Sequence, residues 1–209
     1  MQKGILKLFS LFLLFFAPIL IIWLFLKHYY NFFITSSMIH LSSYFYDLTI
    51  TKTGVENHQL LFTLQNTIPL KDIHGTSHDF AIDTSIDMEA VTFNVPMTLA
   101  LLLAILWSMK VKRRWEILSS GLALLLALHL LSMLLFSLCT IAQTASLNPY
   151  IHYYLSRHYL AGEILCTIKD FLINYAARFE PFLIALFAWI KSLNELVEDR
   201  RPSTPKSPV

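Results

Sequence analysis

FNVPMTLALLLAILWSMKVKRRWEILSSGLALLLALHLLSMLLFSLCTIA, residues 93–142, holds two long apolar runs on either side of a short basic turn. The first run covers 93–109 and the second 117–142. Between them, Lys110-Val111-Lys112-Arg113-Arg114-Trp115-Glu116 places four cations in seven residues. A hydrocarbon core about 30 Å thick is crossed by about 20 helical residues. In lipid, only helices and closed barrels satisfy their own backbone groups, and these runs are continuous rather than alternating, so they predict helices. Short loops rich in lysine and arginine stay in the cytoplasm, so Lys110, Lys112, Arg113 and Arg114 fix the turn on the inner side.

Two further runs extend the pattern, residues 4–26 before it and 171–190 after it. The expected fold is mainly α and integral to the membrane, with about four transmembrane helices. Composition agrees, with 56% hydrophobic and 14% charged residues, where soluble chains carry about 25% charged. The net charge is only +2, so its distribution matters more than its size. Lys3 and Lys7 sit at the N-terminus, and Lys191, Arg200, Arg201 and Lys206 near the other end. The segment from Lys27 to Thr92 has three cations against seven acids. One topology satisfies every segment, with both termini and the 110–116 turn inside and 28–92 and 143–170 outside. The first run is longer than the apolar region of a cleavable signal, about 7–15 residues. Residues 1–27 are therefore read as a retained anchor with Pro18 as a site for a kink.

The outer insert, 28–92, changes period along its length. Residues 29–46 are aromatic and polar and continue as a helix or lie along the interface. Thr49 to Thr53 alternates, Gly54 to Asn57 supplies turn chemistry, and Leu60 to Leu64 is a second strand-like run. Residues 80–91 alternate again, Ile82, Thr84, Ile86 and Met88 on one side and Asp83, Ser85, Asp87 and Glu89 on the other. A small antiparallel sheet of about three strands is expected, resting on the helices because so short a sheet needs a packing partner.

In the helical region, 93–198, Pro96 suits a first helical turn, and Ala100 and Ala104 form a small-residue step for close helix approach. His129, Ser132, Thr140 and Gln143 fall within about 60° of one line on the third helix, a stripe expected to face other helices. Asn148-Pro149 opens an external interfacial helix over 149–159, rich in tyrosine. The last span contains Asn174, Arg178, Glu180 and Pro181 and is expected to bend. Residues 199–209 read as a disordered cytoplasmic tail.

Chemistry-bearing residues are sparse. Cys139 and Cys166 both reach the outer side, where a disulfide is possible; packed apolar cysteines are the plainer alternative. Asp72, His74, His78 and Asp79 are dense in ligand-type side chains, but Gly75-Thr76-Ser77 breaks the helical spacing a metal pair needs, and no metal is expected. The Asp83, Ser85, Asp87, Glu89 series lacks the glycine of a calcium loop and reads as the wet face of a strand. His129 lies mid-span, where an ionisable group merits a functional hypothesis such as proton relay; a neutral histidine hydrogen-bonded across helices is the commoner outcome. No P-loop, nucleophile elbow or glycine-rich nucleotide turn occurs. No cofactor and no nucleic-acid partner is expected.

Phe93-Asn94-Val95-Pro96-Met97-Thr98-Leu99-Ala100-Leu101-Leu102-Leu103-Ala104 resembles a stretch of the exosortase H-associated membrane proteins, which are similar in plan over nearly the whole chain. An N-terminal anchor, an external region with a few strands, a proline and an ALxLA-like helix, a basic turn and further helices follow in that order. Pro96, Ala100, Leu101, Leu103 and Ala104 carry the match; Thr92 to Val95 departs from it in having no glycine. The resemblance implies a bacterial inner-membrane accessory of an exosortase-type transpeptidase, which handles clients with C-terminal sorting helices, and it implies no catalysis by this chain. Exosortases use a cysteine, an arginine and a histidine, whereas Cys139 is followed by Thr140-Ile141-Ala142-Gln143. The rival functions are a membrane enzyme using Cys139 or Cys166 with a histidine, and a small transporter or proton conductor using His129.

Overall fold

A computed structural model describes residues 2–67, 69–71, 77–89, 92, 94–109, 111–146 and 162–198. Helix α1 (Gln2–Phe45) leads into strands β1 (Leu48–Glu56), β2 (Gln59–Asn66), β3 (Leu70–Lys71), β4 (Ser77–His78) and β5 (Ala81–Asp87). Helices α2 (Val95–Met109), α3 (Arg114–Ser146), α4 (Gly162–Phe171) and α5 (Ala177–Glu198) follow, with a π-helical segment, Leu172–Ala176, joining the last two.

Among the described residues, Gly4–Phe45 and Arg114–Ala145 are each long and apolar enough to cross a membrane. A third candidate is the pair Ile164–Tyr175 and Ala177–Val197, bent at the break between them. The expected fourth, α2, has 15 residues and a length of about 22 Å, short of a hydrocarbon core of about 30 Å. α1 is longer than its anchor needs. Its 44 residues run about 66 Å and pass through Pro18, so residues 29–45 continue the helix.

The chain divides into two units. The first, Met1–Trp23, Val95–Leu125 and Phe179–Val209, is built from helices. Here Leu6, Leu14 and Ile21 of α1 are exposed by 64%, 66% and 58%, apolar surface of the kind that marks a membrane or partner contact. Inside, Ala100, Leu102, Ala104 and Leu106 of α2 and Ile184 and Ala188 of α5 are fully buried. Gly121 of α3 lies between them: a Cβ built there would stand 3.0 and 3.1 Å from the Leu102 methyls and 3.7 Å from Ile184.

The second unit, Leu24–Asn94 and Leu126–Arg178, carries the sheet. Strand order is β1-β2-β5, all antiparallel. Leu60, Phe62 and Leu64 of β2 alternate inward with Ile82 and Ile86 of β5, and pack with Ile34 and Ile39 of α1 and Met133, Ile141 and Ala145 of α3. Each such side chain contributes about 1.5–3 kcal/mol on full burial, so the helical bed, rather than strand pairing alone, makes this short sheet stable. β3 and β4 form a separate two-residue pair.

Both turns around β1 use left-handed backbone. Asp47 (φ 50°) ends α1, where its N–H donates to Tyr44 O at 3.3 Å. Asn57 (φ 47°) and His58 (φ 66°) make the two-residue hairpin, the geometry that matches strand twist. The turn expected over Gly54–Asn57 thus falls later: Gly54 pairs with Leu61 inside the ladder, and asparagine supplies the positive φ instead.

Candidate functional site

One face of α1 carries polar side chains at the positions where the helix meets the rest of the second unit. Lys27 Nζ donates to Glu89 Oε1 at 2.9 Å. Tyr30 Oη and His129 Nδ1 share a hydrogen bond of 2.8 Å, with the rings edge to face and 5.9 Å apart. Thr92 Oγ1 donates to Asn31 Oδ1 at 2.6 Å, both residues buried. Steps of three and four residues put Lys27, Tyr30 and Asn31 on neighbouring positions of one helical face. They fasten the end of the sheet insert and the C-terminal part of α3 to that face. Hydrogen bonds inside an apolar setting are distance-specific, so they fix register as well as adding stability.

Glu89 also lies 3.4 Å from His58 Nδ1. The hydrogen bond from Lys27 holds its carboxyl below the ordinary value of 4.5; burial opposes this, and the charges of Lys27 and His58 add to it. A depressed carboxyl stabilises the fold above its unfolded value and loses that contribution as pH falls through the folded one. The loss therefore belongs below pH 4.5. Because Glu89 is 41% exposed, the contribution is about 0.5 kcal/mol or less. An NMR titration of the Glu89 carboxyl is expected to show the depression in the native chain and most of it removed in Lys27→Met. An unchanged titration would contradict the pairing.

The sequence-predicted residues fall differently along α3. His129 is buried, Ser132 and Thr140 are half-buried, and Gln143 is exposed. Besides the bridged Cys139, the buried positions are Ile117, Gly121, Leu125, His129, Met133, Ser137, Ile141 and Ala145, one every four residues. A step of four overshoots the 3.6-residue turn, so the buried stripe winds around the helix instead of following the polar line. Ser137 was missed for that reason. It is fully buried, and its hydroxyl donates to Met133 O at 2.8 Å. Tyr30, Asn31 and Thr92 were also missed; the sequence signal was one asparagine within the aromatic run Tyr29–Phe33.

Cys139 and Cys166 are joined, with an S–S distance of 2.01 Å. Ala100 and Ala104 are fully buried, and Pro96 is buried in the first turn of α2. Arg113 N–H and Lys112 N–H donate to Glu195 Oε1 of α5 at 2.9 and 3.0 Å. Lys7 Nζ approaches Ser108 O at 3.5 Å. Lys110, the proposed interfacial helix 149–159, Asp72, His74 and the 199–209 tail lie outside the described residues. Asp79 is exposed. No group of three or more metal-ligating side chains occurs among the described residues.

The entry to α2 holds a further arrangement. Pro181, inside α5, has no N–H, so the carbonyl of Ala177 four residues earlier lacks its helical donor. The Asn94 side-chain amide donates to that carbonyl instead, and both residues are buried. Asn94→Leu is expected to cost about 1–2 kcal/mol, the penalty of a buried acceptor left bare. In a Pro181→Ala background the helix regains its own donor, and the cost of Asn94→Leu should fall below half. Thermal unfolding of the four proteins closes this cycle; equal costs in both backgrounds would show that Asn94 does something else.

The family model for the exosortase H-associated membrane protein matches residues 2–166 of the chain. None of the curated proteins and none of the solved structures matches it.

Proposed function

The chain belongs to the exosortase H-associated membrane proteins, and from that premise we propose that it is a non-catalytic, multi-pass accessory of an exosortase-type protein-sorting system in the bacterial inner membrane. The family match carries this reading, and the geometry supports it at three points. Glu195 bonded to the 112–113 backbone and Lys7 beside Ser108 gather both ends of the chain to the basic turn. That arrangement suits a start of α1 and an end of α5 on the same, cytoplasmic, side as the turn. Cys139 lies 25 residues along α3 from Arg114, about 37 Å of helix. Counted from a cytoplasmic turn, it passes a core of about 30 Å and reaches the oxidising side, where a disulfide persists.

Joined in a disulfide, neither cysteine offers the thiolate that a nucleophile requires, which weighs against the enzyme reading. His129 is occupied by Tyr30, the commoner structural use of a buried histidine. The small-residue face is also spoken for: Ala100 and Ala104 are fully buried within the chain and leave little for a partner. The outer face of the sheet carries a shallow cleft of about 520 Å³ lined by Lys52, Thr53, Leu61, Thr63, Asp83 and Ser85. There an exosortase or its clients would dock.

Complementation tests the role. With the chain deleted, sorting of proteins bearing C-terminal sorting segments should fail, and Cys139→Ser/Cys166→Ser or His129→Leu should restore it in proportion to the protein level reached. Loss of sorting at a normal protein level in either variant would instead favour catalysis or proton transfer.

A further inference from the structure

The surface of α4 is divided into three sectors. At about 100° per residue, Ile164, Ile168 and Phe171 lie within about 60° of one another, and they are exposed by 51%, 42% and 59%. Beside them, Thr167 and Asp170 make an exposed polar sector. Leu165, Cys166 and Lys169 form the third sector and are half-buried. This sector is fastened to α3. Cys166 is bonded to Cys139, and the Lys169 ammonium lies 5.5 Å from the Phe136 ring and 2.8 Å from Asp170 Oδ1. Tyr175, 60% exposed, stacks on Phe171 at 5.7 Å and prolongs the apolar sector.

A helix packed on one side, whose exposed side is part apolar and part polar, matches the boundary between acyl chains and headgroups. Its level along α3 agrees. Cys139, its tie to α3, lies 25 residues along that helix from Arg114, beyond the about 20 residues that cross a hydrocarbon core. At 10 residues, or about 15 Å, α4 is too short to cross by itself.

We propose that α4 is seated in the outer interface of the bilayer, with Ile164, Ile168 and Phe171 in the acyl boundary and Thr167 and Asp170 in the headgroup layer. The inference rests on the membrane-embedded reading above. Because Lys169 is paired with Asp170 and only 16% exposed, apolar area rather than attraction to anionic lipid sets the seat. A neutral phosphatidylcholine bilayer therefore suffices.

Site-directed nitroxide labelling of the full chain in phosphatidylcholine vesicles tests this. The native cysteines are paired, so single cysteines introduced at 164, 168, 167 and 170 label selectively; 171 replaces either apolar site if its labelled protein loses native circular dichroism. The ratio of accessibility to oxygen over a water-soluble nickel complex should be several-fold higher at 164 and 168 than at 167 and 170. Equal ratios at all four sites would overturn the proposal. So would low accessibility to both reagents at 164 and 168, which would mean that protein covers them. A label at Leu14 of α1 separates the two levels: if it reports lipid while α4 does not, the interfacial seat fails and the membrane reading stands. If neither reports lipid, the membrane reading fails as well.

Discussion

Removing the Cys139–Cys166 bridge is expected to lower the stability of the chain by about 3.5 kcal/mol. The two residues are 27 apart, and the entropy returned to an unfolded chain by opening a loop of that size corresponds to about 3.5 kcal/mol at 25 °C. For a chain of this length the shift in melting temperature is on the order of 10 °C. Alanine is the better substitute, since Cys139 is fully buried and a serine hydroxyl there would add its own desolvation cost. Cys139→Ala, Cys166→Ala and the double variant should fall by nearly the same amount, because one sulfur alone closes no loop. Thermal unfolding in detergent, with and without reductant, reads all three. A native chain whose melting is unmoved by complete reduction would show that the bridge adds nothing to the fold. The expected loss also bears on α4, whose packed sector holds to α3 through Cys166.

Gly121→Leu should disrupt the first unit by about 3 kcal/mol, the upper end of the usual overpacking cost. The first added carbon already meets the two Leu102 methyls at 3.0 and 3.1 Å, and the remaining three have Ile184 in their path. Both neighbours are fully buried, so neither has open space to move into. Leu102→Ala provides that space, and the double variant should recover more than half of the loss. Gly54→Ala is the matching control. No atom lies within 4 Å of a Cβ there, and the change should stay within about 0.5 kcal/mol. If Gly121→Leu melts with the native protein, α2, α3 and α5 do not meet as described.

Much of this architecture was legible because membrane helices and alternating strands leave strong one-dimensional signals. The 4–26 and 117–142 runs sit within α1 and α3, and the three expected strands appear in β1, β2 and β5. Ile82, Ile86 and Met88 face inward as their alternation implied. Termini of elements were less legible. Nothing in residues 29–45 distinguishes a helix lying on the interface from one continuing outward, since the choice depends on Ile34 and Ile39 meeting a sheet encoded later in the chain. The last crossing was placed at 171–190, whereas α5 begins at Ala177. The π-helical segment before it and the Asn94 amide that serves Pro181 depend on a contact across 83 residues.

The polar residues were the hardest to place. His129 is buried and Gln143, on the same predicted line, is exposed, because the inward stripe of α3 is set by which helices and strands it meets and not by its own polarity. Likewise, Lys27, Tyr30 and Asn31 look like the flank of an anchor until Glu89, His129 and Thr92 are brought to them. A lysine beside aromatics at the end of an apolar run predicts an interface, but not the partner each side chain takes.

The accessory role is tested most directly by purifying the tagged protein at its native level from membranes in mild detergent and identifying by mass spectrometry what accompanies it. Recovery of a multi-span cysteine transpeptidase, or of proteins with C-terminal sorting segments, is the expected result. Recovery of the protein alone, as a defined homo-oligomer, would contradict it.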